Sequence, residues 1–191
     1  MVSGRIITVR HGRPDLSREV VISARQYTDW WAAYNESGLH SDERPPAALK
    51  ALAEKTPTIL SSTLRRAIET AAHLTGPEIT AGQDPVFVEA PLPAPPVPLL
   101  RLRPGPWGVL ARTFWVCGWA PGDTESSSET WKRVDRAIDR LTKEAESGDT
   151  MVCAHGYFNW MVHRRMLKRG WRLVEHVGGN KYWSCRVYEA G

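Results

Sequence analysis

Two histidines in this chain each follow a short apolar run and precede a glycine, in Arg10-His11-Gly12 and Ala154-His155-Gly156. An imidazole beside a guanidinium is poorly placed to bind a metal ion, because the arginine repels it. It is well placed to meet an anion, phosphate above all, whose oxygens arginine grips two at a time. A neutral imidazole nitrogen can attack phosphorus and form a phosphohistidine, dividing one hard step into two. A third cluster, Ser61-Ser62-Thr63-Leu64-Arg65-Arg66-Ala67, sets hydroxyls and two arginines at the expected start of a helix. Free backbone N–H groups and the helix dipole favour anions there. Only one of the two arginines can face inward. Arg66, followed by the small Ala67 and one turn before Thr70, is the expected one, with Arg65 left on the surface. A plainer reading of the first motif also stands, in which Arg10 pairs with a carboxylate and His11 is satisfied within a turn.

These residues need elements to bring them together. Ile6-Ile7-Thr8-Val9 and Met151-Val152-Cys153-Ala154 read as buried strands whose glycines mark tight exits. In an open α/β sheet the carboxyl ends of the strands converge on one crevice, so the two histidines can meet there. Thr58-Ile59-Leu60 is a short strand, with Ser61 or Ser62 as the expected N-cap of a helix over 63–74 that Gly76-Pro77 ends. Ala24 to Asn35 reads as a helix with an aromatic stripe, and Pro45-Pro46 suits the first turn of another that runs to Lys55. Pro85-Val86-Phe87-Val88-Glu89 reads as a strand ending in a carboxylate. Seven of the 14 prolines fall between Pro91 and Pro106, so that stretch is expected to lack regular structure. Interleaved with Leu, Val and Trp, the segment at about 90–121 is expected to be an ordered loop or lid over the site. Val134, Ile138, Leu141 and Ala145 mark an amphipathic helix behind a Ser126-x-x-Glu129 capping box. A helix over 158–168 and a last strand over 182–188 complete the pattern. Strands alternate with helices, which predicts one α/β domain over 1–191, a three-layer α/β/α sandwich on a mostly parallel sheet.

Arg-His-Gly after a first strand, the run Ser-Ser-x-Leu-x-Arg-Ala-x-x-Thr-Ala at 61–71, and a late strand ending in His-Gly together resemble the histidine phosphatase superfamily. That group includes the cofactor-dependent phosphoglycerate mutases. The resemblance implies a phosphoglycerate mutase-like fold and a phosphatase that hydrolyses a phosphomonoester through a phosphohistidine. It implies that His11 is the nucleophile and that Arg10, Arg66 and His155 hold the phosphoryl oxygens. It also implies that Glu89, which opens the proline segment, protonates the leaving group. Glu125-Ser126 resembles the Gly-Glu-Ser element before the family's long helix, where a capping role is expected. The family's mutases and many of its phosphatases carry Glu-Thr after Arg-His-Gly and an Asn a few residues on, where this chain has Arg13-Pro14 and then Ser17, and a Gly-x-Trp-x-Gly-like element is replaced by the prolines. These departures favour the phosphatase over a mutase-like phosphotransferase. A noncatalytic phosphate-binding or partner-binding module on the same fold is the other alternative.

Composition bounds the rest. A length of 191 residues with 42% hydrophobic and 24% charged residues is that of an ordinary globular domain. Of the 25 basic residues 19 are arginine, but no basic run long enough to track a nucleic acid occurs. No apolar stretch is long enough to span a membrane. Met1 to Arg5 leads straight into the first strand, so no secretory signal is read and a cytoplasmic location is expected. Cys117, Cys153 and Cys185 have no ligand spacing and are expected as reduced thiols. No metal and no organic cofactor is expected. His40, His73 and His163 are expected away from the site, whereas the turn after His176 can approach it. The expected partner is a small phosphate ester or a phosphorylated protein side chain, and the Pro- and Trp-rich segment hints at an apolar leaving group.

Overall fold

The computed structural model describes residues 3–76 and 81–191. Alternation of side chains along buried strands decides the layers. In β1 (Ile6–Arg10), Ile6 faces one core while Ile7 and Val9 face another. In β6 (Thr150–Ala154), Val152 and Ala154 join the first core and Met151 and Cys153 the second. These two strands pair in parallel, from Ile6 opposite Thr150 to Arg10 opposite Ala154. On the far side of β6 lies β3 (Thr58–Ser61), also parallel, followed by the short β4 (Gly82–Gln83). On the other side of β1, β8 (Cys185–Glu189) and β7 (Arg172–Val177) continue the sheet in antiparallel pairing. The order is β4-β3-β6-β1-β8-β7.

One face is covered by α5 (Ser127–Glu144) and α6 (Gly156–Lys168), whose Val134, Ile138, Leu141, Phe158 and Met161 fill the first core. The other face is covered by α2 (Ala47–Glu54) and α3 (Arg65–Thr75) through Leu49, Ala53, Ala71 and Leu74. This is the expected three-layer sandwich on a mostly parallel sheet. A third, smaller core joins α1 (Ala24–Glu36) to α4 (Pro104–Val116) beside a two-stranded ribbon of β2 (Ile22–Ser23) and β5 (Arg101–Leu102). No helix among the described residues is long and apolar enough to cross a membrane.

The structure departs from the sequence reading in four places. Residues 85–87 form a 3-10 turn rather than a strand. The Asp84 side chain accepts from the Val86 N–H at 2.9 Å, and Pro85 has no N–H to give a ladder. Irregular chain fills only the start of the proline segment, because Pro104 and Pro106 fall in the first turn of α4, where missing N–H groups cost nothing. The residue capping α3 is Leu64, since Ser61 is still paired in β3 and Ser62 is occupied at the site described below. The edge strand β7 carries no sequence signal. All six of its residues are exposed, so no buried alternation marks it. The Pro77 end of α3 lies outside the described residues.

Candidate active site

Adjacent parallel strands that stop in register must deliver their next residues side by side. His11 follows β1 and His155 follows β6, and their rings lie 5.2 Å apart between centroids, tilted by 57°. The His11 N–H donates to the Ala154 carbonyl at 3.0 Å, which ties one strand end to the other. Both glycines are demanded by neighbours. A Cβ on Gly12 would stand 2.6 Å from the Trp183 ring, and one on Gly156 would stand 3.0 Å from the Arg10 Nε. The repeated His-Gly therefore makes room for an indole in one place and for a guanidinium in the other.

The His11 ring is 2% exposed, and its Nδ1 lies 2.7 Å from the Gly12 carbonyl. A carbonyl only accepts, so Nδ1 carries the proton and Nε2 keeps a lone pair. Burial, then the Arg66 charge, hold His11 well below the ordinary imidazole range; the bond to Gly12 opposes them, and Arg10 and Arg18 add smaller contributions to them. His155 is depressed in the same way by burial, Arg66 and His11. Both rings are thus neutral at neutral pH. His155 Nε2 sits 2.8 Å from Ser62 Oγ, while its buried Nδ1 has no partner.

Arg66 is wholly buried, and among the described residues its guanidinium donates to the Tyr34 carbonyl at 2.7 Å, the Asn35 carbonyl at 3.5 Å and the Asn35 Oδ1 at 3.4 Å. It lies over the Tyr34 ring at 4.5 Å, and burial lowers its pKa. Arg65, as expected, faces outward and pairs with Glu69. Arg10 lies over the Tyr182 ring at 4.6 Å and donates to the Asn180 carbonyl; its Nε has no partner. Among the described residues neither Arg10 nor Arg66 has a carboxylate within ion-pair distance, so the plainer reading of Arg10 fails.

Glu89 enters from the turn after Phe87. One of its oxygens accepts from the Ala90 and Phe158 N–H groups at 2.9 Å each, the other from the Tyr157 N–H at 3.3 Å. It therefore caps α6, the helix that begins right after His155, while also lining the cavity beside His11. Two arginines hold this turn by its backbone. Arg133, paired in fork geometry with Glu125 at 2.8 Å, donates to the Val86 and Val88 carbonyls, and Arg112 donates to those of Ala90 and Pro91. Glu125 is thus engaged with Arg133, and Ser126 is the cap of α5.

These groups open on a cavity of about 550 Å³. Arg10, His11 and Glu89 line it, whereas Arg66 and His155 lie buried beneath its floor. Arg18, Arg112 and Arg186 also reach the wall, and among the described residues Glu89 is its one carboxylate. A site so rich in cations and so poor in anions is built to take an anion. The turn after His176 does reach the cavity through Gly179 and Asn180, but His176 itself faces the Gly179 carbonyl. His163 contacts the Tyr188 hydroxyl, away from the site. No group of three or more His, Cys, Asp and Glu among the described residues is placed to hold a metal ion. Sequence reasoning missed Arg112, because α4 was hidden in the proline segment. It also left Arg18 without a role, and no spacing rule marks a loop arginine.

Residues 102–189 match the sequence model of the Histidine phosphatase superfamily (branch 1), a span that contains His155 but not Arg10, His11, Arg66 or Glu89. No curated protein sequence matches significantly. Among solved structures, a complex of mycobacterial glucosyl-3-phosphoglycerate phosphatase with VO3 aligns with a TM-score of 0.58 at 20% identity, covering 97% of this chain and 92% of that one. The product of an open reading frame of Mycobacterium tuberculosis gives 0.55 at 18% identity, covering 87% and 81%. A phosphoserine phosphatase variant from Entamoeba histolytica in complex with phosphoserine gives 0.52 at 16% identity, covering 86% and 80%. At such identities the likeness establishes the fold. The chain resembles the histidine phosphatase superfamily in its motifs, in the matched sequence span and in its architecture.

Proposed function

We propose that this protein is a phosphatase that hydrolyses a phosphomonoester through a phosphohistidine on His11. The observation that carries the reading is a buried, neutral His11 whose Nδ1 proton is held by Gly12, on a cavity where Arg10 in the wall and Arg66 below the floor have no ion-pair partner among the described residues. His11 Nε2 attacks phosphorus as the ester P–O bond breaks, and Glu89 gives its proton to the departing oxygen. Water then attacks phospho-His11 and yields its proton to Glu89, which restores both groups and releases inorganic phosphate. Arg10 and Arg66 take the charge on the phosphoryl oxygens, and His155 bonds to one of them. No metal or organic cofactor enters these steps. The substrate is a small phosphate ester or a phosphorylated protein side chain, and the protein acts in the cytoplasm. Superfamily likeness and the phosphatases among the similar folds support the reading.

The test is His11→Ala against an aryl phosphate. Wild type is expected to release inorganic phosphate steadily and to trap an acid-labile phosphoryl label, and the variant to do neither. Equal turnover by the two proteins defeats the proposal. Interconversion of isomeric phosphates without net release would replace it with a mutase, and phosphate binding without turnover would replace it with a noncatalytic module.

A further inference from the structure

Glycine is the least favoured residue in a helix after proline, so a glycine inside one needs a reason. Gly105 and Gly108 lie in α4 with ordinary helical backbone, since neither has a positive φ. Neither is forced by a close neighbour. A Cβ on Gly105 would meet nothing within 4 Å, and one on Gly108 would reach only the Tyr27 hydroxyl at an ordinary 3.7 Å. Both line the cavity that holds His11 and Glu89. What these glycines provide is open space in that cavity.

Two aromatic pairs border the same space, each at a spacing of three residues along a helix. Trp31 and Tyr34 of α1 stack at 5.3 Å with planes 16° apart, and Tyr157 and Trp160 of α6 stack at 5.0 Å with planes 28° apart. Val109, one step beyond Gly108, also lines the cavity and is 70% exposed. The tryptophans of the proline segment do not contribute. Trp107 and Trp115 are wholly buried, with indole N–H groups bonded to the Ile22 and Glu125 carbonyls.

We infer that the cavity selects phosphate esters with a bulky, planar apolar leaving group, seated against the glycine face of α4 between the aromatic pairs of α1 and α6. This rests on the phosphatase reading only in calling the occupant a leaving group. A Cβ at position 105 enters the seat without meeting any atom within 4 Å.

Two nonhydrolysable probes separate seat from chemistry: (2-naphthyl)methylphosphonate and ethylphosphonate, titrated by calorimetry. Wild type is expected to bind the naphthyl compound at least about tenfold more tightly, the scale of discrimination that apolar pockets reach. Gly105→Leu is expected to bring that ratio below about threefold, with Gly105→Ala and Gly108→Ala in between. Because alanine is the better helix former, the melting temperatures of the alanine variants are expected to equal or exceed that of wild type. A wild-type ratio near one, or a ratio that Gly105→Leu leaves intact, overturns the inference. Turnover is read separately with His11→Ala. If catalysis is absent while the binding ratio holds, the phosphatase reading fails and the seat remains.

Discussion

Replacing Arg66 with methionine separates a structural cation from a functional one. Arg66 has no exposure and, among the described residues, no carboxylate within ion-pair distance; it holds two backbone carbonyls, one side-chain amide oxygen and one aromatic face. Taking one guanidinium out of water costs an effective several kcal/mol, a penalty that an apolar chain of similar length does not carry. Against that stand the stacking on Tyr34, about 0.5–2 kcal/mol, and the freed Tyr34 carbonyl, about 1–3 kcal/mol. The terms nearly cancel, so Arg66→Met is expected to unfold within a few degrees of wild type. Binding is different. Two charge-assisted hydrogen bonds to phosphate, each about 1.5–3 kcal/mol, correspond to roughly 10²–10⁴ in affinity. Inorganic phosphate at about 100 times its Kd stabilises the wild type by ~2.7 kcal/mol. For a chain of this length that is about 5–10 °C in Tm. The variant's shift should shrink to about 1 °C or less under the same conditions. Thermal unfolding with and without phosphate reads both quantities in one experiment. A Tm lowered by more than about 10 °C with the phosphate shift retained would show that Arg66 is there for the fold, and the site as described would be wrong.

Three further outcomes follow from the same geometry. Glu89→Gln should slow hydrolysis of esters with poor leaving groups by about 10²–10⁴ and spare nitrophenyl phosphate, whose leaving group needs no proton. Equal losses on both esters would remove Glu89 as the acid. His11 and His155 are both held below the ordinary 6.5, so the unfolded chain takes up protons that the folded chain refuses. Their contribution is complete above about pH 6.5 and is lost as pH falls below it, at up to ~1.4 kcal/mol per pH unit for each ring. Denaturant midpoints measured from pH 7.5 to 5 should decline, and His11→Asn should flatten the slope; an unchanged slope in that variant contradicts the depressed His11. Arg133→Met should cost about 3 kcal/mol or more, because it leaves the half-buried Glu125 unpaired and frees the Val86 and Val88 carbonyls. A denaturation midpoint equal to that of wild type would show that this ion pair does not hold the Glu89 turn.

The site was legible where its signal is local and the fold where its pattern repeats. His11 and His155 end strands whose apolar runs identify them, and parallel pairing of β1 with β6 does the rest. Arg66 was separable from Arg65 because a helix can turn only one of two successive residues inward. What stayed hidden depends on contacts distant in sequence. Nothing in Gly12 announces Trp183, and nothing in Gly156 announces the Arg10 guanidinium that it admits. Glu89 lines the cavity from a turn and not from the end of a strand. A short apolar run after a proline reads as strand, whereas the Asp84 side chain closes it into a turn.

The proline segment shows why one composition supports two opposite readings. Proline breaks a helix at every position except the first turn, where the N–H groups are unpaired in any case. Pro104 and Pro106 occupy that turn, so the residues that seemed to forbid structure are the ones that start α4. Once α4 is in place, Trp107, Ala111 and Trp115 turn one side of it into the interior. Gly105, Gly108 and Arg112 then fall on the side that lines the cavity. Arg112 holds the Ala90 and Pro91 carbonyls from there, which fixes the chain next to Glu89. The segment expected as an ordered loop or lid over the site supplies, through α4, one wall of the cavity, and it carries both the glycines proposed to seat a leaving group and the clamp beside the residue proposed to protonate it.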